Sequence, residues 1–335
     1  MMPLIQYVRD SLKWKSVIIF LLLVTIPSGL IGSVVLYQSN KILKEQVITT
    51  THQNLSNMES QLNNVIKEIE DISGYMIYSQ EFRDFMTSPA ITGDNYNHLN
   101  EVRSNIRGFF VFHQSNKDYF HSVQIEGINK QVLSVGETVE GDESPWVDQA
   151  KEIEGDLLWT APYQLHNQRT GQDEKVVSLY RVINHLYNIR EPIGLVRIRL
   201  DLQSLFAHVS DGFTNKQHQA FFVHNDKQHI TSADFGPTFS YQSFMDPIET
   251  EGETYYGVSR YIEPLDLHLV SVVSEAYLLS EMKDIRFTFG SMIFIAVFMG
   301  LMTFAGFVFF VVRPILELTR ETKRVEHGDF TAQVK

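Results

Sequence analysis

Residues 287–312 read FTFGSMIFIAVFMGLMTFAGFVFFVV, 26 positions without a charge, held between Arg286 and Arg313. A hydrocarbon layer about 30 Å thick is crossed by ~20 helical residues rising about 1.5 Å each, so this stretch is long enough to span one. A helix is also the simplest conformation that satisfies every backbone group there. Residues 17–37, VIIFLLLVTIPSGLIGSVVLY, repeat the pattern over 21 positions between Lys15 and Lys41. No small-x-small cleavage site follows, so this segment reads as a retained anchor rather than a removed leader. Pro27 is tolerable in a membrane helix, where neighbouring groups take up the freed carbonyl. Two transmembrane helices are therefore expected, at 17–37 and 287–312.

Arg9, Lys13 and Lys15 precede the first segment, and Arg313, Arg320, Lys323 and Arg324 follow the second. The ends of the intervening loop carry only Lys41, Lys44, Lys283 and Arg286. Seven against four places both termini in the cytoplasm and the loop outside the cell, a multi-pass arrangement in the cell membrane. The 335 residues hold 28 basic and 40 acidic side chains, a net charge of −12. Between Lys41 and Arg286 the count is 20 basic against 35 acidic, so the acidity lies in the loop. That sign argues against a nucleic-acid partner, which would need a basic face to displace counterions. The absence of cysteine removes disulfides, Cys-ligated zinc, iron–sulfur clusters and Cys nucleophiles together.

The loop opens with a long helix expected over 38–87. Its apolar positions Ile48, Leu55, Met58, Leu62, Val65, Ile69, Ile72 and Met76 step by 3 and 4 from Leu55 onward. This period of 3.5 describes either a helix packed on its own domain or one of a parallel pair at a dimer seam. Past Ser88-Pro89 the pattern turns strand-like, with strands expected at 121–127, 131–135, 157–163, 175–182 and 193–201. Gly127 to Lys130 supplies a hairpin turn and 145–154 a short helix. A second set follows at 219–224, 227–231, 254–261 and 267–274. The strand VRIRL runs into Asp201-Leu202-Gln203-Ser204-Leu205, and LVSVVS runs into Glu275-Ala276-Tyr277-Leu278-Leu279. That echo suggests two related α+β modules in tandem, at 88–203 and 204–286, with the exit helix leading directly into the second apolar segment.

The tail, 313–335, begins Arg313-Pro314, with Pro where its missing N–H costs nothing. Ile315, Leu318, Thr322 and Val325 share one face, and Gly328 ends the helix. Pro314 with Glu326-His327-Gly328-Asp329-Phe330 resembles the start of a HAMP domain, the element that relays signals from membrane helices. That likeness implies signal-relay roles for Arg313, Pro314, Glu326 and Gly328. His327 lies in this element and not in a phosphoacceptor context.

With both ends in place, the chain resembles the sensory half of a Gram-positive histidine kinase of the YesM type. The residues that carry the likeness are Trp14-Lys15, the stretch ESQLNNVIKEIEDISGYMIYS at 59–79 and Ser144-Pro145-Trp146 with Ala150. To these are added Leu158-Trp159-Thr160-Ala161-Pro162-Tyr163, Pro192-Ile193-Gly194 and Arg324-Val325-Glu326. The resemblance implies an extracellular double Cache domain of two PAS-like modules, a homodimer, and a kinase part beyond Lys335 that would use ATP and Mg. A response regulator would be its phosphorylation partner, and the cue a small molecule or a solute-binding lipoprotein. Related outer domains of chemoreceptors hold amino acids with an Arg-x-Trp-Tyr element, a Tyr and an Asp. Trp146, Tyr163 and Asp201 fall at three of those places, but Ser144 replaces the Arg and Val147 the Tyr. Without that Arg no cation is evident for a ligand carboxylate, which disfavours a free amino acid.

Candidate ligand residues are Trp146, Trp159, Tyr163 and Tyr180, with Arg181 and Asp201 as polar partners. An aromatic wall carrying a few polar groups is the usual build of a small-molecule pocket; plain core packing is the competing explanation, and the commoner one for any single aromatic. His218, His224 and His229 lie at spacings that do not enforce convergence on a metal. No P-loop, nucleophile elbow or HExxH is present, so no catalytic residue and no cofactor are expected within the chain. The expected function is extracellular sensing for a two-component kinase. The same sensor could instead feed a chemoreceptor, a cyclic-dinucleotide enzyme or a membrane-bound AraC-type regulator, or belong to a non-enzymatic binding protein.

Overall fold

The computed structural model describes residues 12–89, 96–213, 218–224, 227–231, 248–250, 253–315 and 318. The chain divides into two compact units, one formed by Met1–Gln46 with Leu278–Lys335 and the other by Val47–Tyr277.

In the first unit the helix α1 (Leu12–Tyr78) carries Pro27 in its interior without a break. Its neighbour here is the helix Glu275–Phe307, which continues as a π turn over Val308–Val312. A Cβ on Gly32 would meet Ile293 Cδ1 at 2.7 Å, so the two apolar segments touch where a side chain is missing. Small residues permit such close approach between helices. Among the described residues one helix is long and apolar enough to cross a membrane, Phe287–Ile315, with mean hydropathy 2.5 and no part of its most apolar window buried. Along α1, Ile19, Leu23, Ile26, Leu30, Ile31 and Val34 are also exposed. Several other side chains of 17–37 lie outside the described residues, and of the two expected spans the one at 287–312 has its counterpart in this finding while the one at 17–37 does not.

The second unit is built on the rest of α1. Leu55, Met58, Leu62, Val65, Ile69, Ile72 and Met76 are all buried in its main core. Over Leu55 to Met76 the 3.5-residue seam is thus occupied by the chain's own core, the first of the two readings of it. A helix α2 (Gln80–Thr87) follows a break at Ser79, so the single helix expected to 87 is interrupted. Next comes α3 (Tyr96–Ser115), where the sequence pattern predicts strands to have begun. Its buried positions Leu99, Val102, Ile106 and Phe110 step by 3, 4 and 4, a helical face that the apolar run at 109–112 obscures.

Seven antiparallel strands follow: β1 (Phe120–Gly127), β2 (Val132–Gly136), β3 (Val139–Glu140), β4 (Leu157–Trp159), β5 (Tyr163–Asn167), β6 (Gln172–His185) and β7 (Asn188–Asp201). They order as β2-β1-β7-β6-β5-β3, with β4 also on β6. The strand expected at 157–163 is two strands. Pro162 has no N–H to donate, and Thr160 to Pro162 part the pair. A helix α4 (Ser144–Glu152) lies between β3 and β4 in sequence, and α5 (Leu202–Ser210) follows β7. A five-stranded antiparallel sheet holds β8 (His218–His224), β9 (Lys227–Thr231), β10 (Ile248–Thr250), β11 (Glu253–Ile262) and β12 (Leu267–Ser274) in the order β10-β11-β12-β8-β9. From β12 the chain passes without a loop into α6 (Glu275–Phe307).

Alternation along the strands gives the first sheet two unlike faces. Val123 and Ile125 of β1, Val177, Leu179 and Ile183 of β6, and Val196, Ile198 and Leu200 of β7 enter the core shared with α1. The intervening residues, Ser122 and Gln124, Ser178 and Tyr180, Arg197 and Arg199, therefore turn to the opposite face. Register brings them into rows: Arg199 lies beside Ser122 and Ser178, and Arg197 beside Gln124 and Tyr180.

Candidate ligand site

The polar rows of β1, β6 and β7 meet the start of α4. Glu143 occupies the N-cap position of that helix, its carbonyl accepting from Val147 N–H while its side chain turns to the sheet. Arg199 donates to it through Nε at 2.8 Å and through Nη2 at 2.5 Å, a two-pronged pair in which both partners are buried. Tyr163 donates its hydroxyl to Glu143 Oε1 at 2.8 Å and stands 2.7 Å from Ser178 Oγ and 3.3 Å from the Tyr180 hydroxyl. Arg199 Nη2 also reaches Gln124 Oε1 at 3.1 Å. Arg197 donates to Glu126 Oε2 at 2.9 Å and lies 3.5 Å from Glu143 Oε2. Two guanidiniums thus face two carboxylates, and the charges cancel within the cluster.

Burial alone would raise the Glu143 carboxyl pKa. The hydrogen bonds and charge of Arg199, with the Tyr163 hydroxyl, overcome that and bring it down to about 2. The same burial, with the Glu143 charge beside it, pushes Tyr163 up to about 12. Tyr180 is raised for the same reasons, burial first. A carboxyl depressed in the folded state adds stability above its unfolded value and loses it as pH falls toward the folded value. The unfolding midpoint is therefore expected to hold level from pH 8 to about 5 and to fall from about pH 4.5 downward. In Glu143→Gln the acid limb of a melting series from pH 8 to 3 should be shallower. An unchanged limb would remove Glu143 as its source.

The mouth of this face is a hollow of about 250 Å³ lined by Val147 and Lys151 of α4, Glu126 of β1, Val182 of β6 and Leu195 of β7, with Pro192 at the edge. Ala150, Tyr180, Val182 and Leu195 form a small apolar cluster beneath it, and Trp146 packs there with its ring 4.3 Å from that of Tyr163. The face thus sets a largely apolar hollow, with Glu126 and Lys151 on its wall, beside a buried polar cluster whose charges are paired.

Of the candidate residues read from the sequence, Trp146, Tyr163 and Tyr180 are brought together here. Trp159 and Arg181 are not. Trp159 Nε1 donates to Glu70 Oε1 at 2.9 Å and Arg181 Nη1 to Ser73 Oγ at 3.0 Å, both on α1 and so on the other face of the sheet. Tyr180 and Arg181 are consecutive on β6, and a strand cannot turn both to one side. Asp201 caps α5, accepting from Ser204 N–H at 2.7 Å, and borders a separate polar cavity of about 680 Å³ near His121, Asn167 and Glu174. The sequence reading did not single out Glu143, Arg197 or Arg199; the two arginines on this face are paired with the chain's own Glu143 and Glu126. Their signal was present in GLVRIRLD, where charged residues alternate with apolar ones inside an otherwise buried strand.

Glu326 and Gly328 lie outside the described residues, as does His327. Arg313 is described, with its guanidinium 5.4 Å from the centre of the Phe309 ring. Among the described residues no three His, Asp or Glu side chains gather closely enough to hold a metal.

No protein-family model matches the chain, and no curated protein does. Solved structures do. The extracellular domain of vpHK1S-Z8, described as a histidine kinase, aligns with TM-score 0.52 and 11% identity over 72% of this chain and 96% of its own. A domain of a Vibrio parahaemolyticus protein described as sensory box/GGDEF aligns with TM-score 0.52 and 13% identity over 70% of this chain and 98% of its own. The ligand-binding domain of the Pseudomonas aeruginosa PAO1 amino acid chemoreceptor PctB, in complex with L-Arg, aligns at 0.46 and 14% over 71% and 97%. At these identities the likeness speaks for architecture alone: helices packed on antiparallel sheets, as in these two domains.

Proposed function

We propose that this chain is the sensory region of a two-component histidine kinase, anchored in the cell membrane by residues 17–37 and 287–312, with Val47–Tyr277 outside the cell. One observation carries the reading. Strand β12 enters α6 without a loop, and α6 runs on as the exposed apolar helix Phe287–Ile315. A helix with no intervening loop passes displacement along its axis, so a change at the outer sheets can be felt at Arg313 and Pro314. The Cache/PAS-like fold supports sensing as the task of the outer unit. The cue is a small molecule bound under α4, and the two sheets serve as the membrane-distal and membrane-proximal modules. The HAMP-like tail, including Glu326 and Gly328, favours a kinase output acting on a response regulator within a homodimer. The cue shifts the receptor only by the difference in its affinity for the two signalling states.

The absence of native cysteine makes the topology directly testable. Asn116→Cys is placed on an exposed turn after α3 and Thr322→Cys in the tail. In intact protoplasts a membrane-impermeant maleimide should label the first and spare the second, and lysis should expose the second. Protection of Asn116→Cys, or labelling of Thr322→Cys before lysis, would overturn the receptor reading.

A further inference from the structure

The ligand face already holds a carboxylate of its own. Glu143 receives two hydrogen bonds from Arg199 and one from Tyr163, the set of donors that a small acid bound on this face would seek. It is also the residue at which α4 starts, so its side chain ties the helix to the sheet. The rest of that attachment is slight: Ala150 is the one fully buried residue of α4, with Trp146 and Val147 half-buried. The hollow at the mouth opens beside the pair, because Glu126 both lines it and accepts from Arg197. Arg197 also keeps Nε buried without an acceptor among the described residues. A buried donor left unsatisfied in this way is costly, and a ligand oxygen would relieve it.

We propose that Glu143 is an internal competitor for the cue: its carboxylate rests on Arg199 until the carboxylate of a small acid with a branched apolar tail takes that place and frees the first turn of α4. The tail of the acid fills the hollow between Val147, Val182 and Leu195, and its oxygens take the Arg199 fork and the free Arg197 donor. No covalent bond changes. Because α4 carries both the competitor and part of the hollow, occupancy and the position of α4 are coupled. The ligand then binds only the fraction of molecules in which Glu143 has left, and its apparent affinity is reduced by that fraction. This inference rests on reading the face under α4 as the ligand site.

The test is calorimetric titration of the full chain in nanodiscs with 4-methylpentanoate, in a buffer free of other carboxylates, with neutral 4-methylpentanamide as control. Glu143→Gln keeps the size of the side chain and removes the charge that holds Arg199. It should bind the acid at least tenfold more tightly than the native chain. Glu143→Asp keeps the charge but withdraws it by one methylene, and should fall between the two. The amide should bind to none of them. The proposal is overturned if both variants bind the acid no more tightly than the native chain, if the amide binds as well as the acid, or if none of the three binds the acid. Such a result alongside external labelling of Asn116→Cys would remove the competitor and leave the topology of the receptor standing.

Discussion

Arg199→Met is expected to cost the folded second unit about 3–5 kcal/mol at pH 7, the range seen when one partner of a buried pair is removed and the other stays charged. Arg199 is 3% exposed and Glu143 8%, so water cannot take over the lost hydrogen bonds without opening the start of α4. Methionine fills much of the guanidinium's volume, which confines the loss to charge and hydrogen bonding. The double variant Arg199→Met, Glu143→Gln should recover most of the loss, because no uncompensated charge then remains buried. Urea unfolding of the solubilised chain, followed by far-ultraviolet circular dichroism, measures both. A single variant as stable as the native chain would show that Glu143 finds solvent or another partner. The paired donors hold the polar groups of this face in place.

Leu62→Ala is the other large expected effect, a loss of about 2–5 kcal/mol from a residue with no exposed surface at the centre of the α1 seam. The loss combines removed transfer energy with the cavity left in the main core, and its size depends on how far the neighbours relax. It should be independent of protein concentration. A seam shared between two chains would instead give an unfolding midpoint that rises with concentration, since association stabilises by mass action. Unfolding over a hundredfold concentration range separates these outcomes. Concentration dependence for the native chain that vanishes in Leu62→Ala would contradict the intramolecular packing of this stretch.

The helical period of α1 was legible because a buried stripe must recur every turn, and Leu55 through Met76 obey that spacing for six steps. The strand alternation of β1, β6 and β7 was legible for the same reason, with period 2. That alternation by itself sends Tyr180 and Arg181 to opposite faces, so placing both in one pocket conflicts with strand geometry. Helix α3 was not legible, because Phe109-Phe110-Val111-Phe112 is apolar on every face and its outward residues mimic a strand run. Phe112 and Val111 in fact stand exposed at 64% and 46%, while Phe110 is fully buried.

The amino-acid order by itself determined the apolar helix at the end of the chain, the seam of α1 and the two-faced strands, because each is a local repeat set by helix or strand geometry. Only the tertiary structure decided which face of the first sheet is covered by α1 and which is left to α4. That choice sends Trp159 and Arg181 to one side and Arg197 and Arg199 to the other, and it joins Arg199 to Glu143, 56 positions earlier. No local period encodes such a pairing; it exists because a charged strand residue turned away from the apolar core is buried again by a helix, and buried charge persists only where an opposite charge meets it.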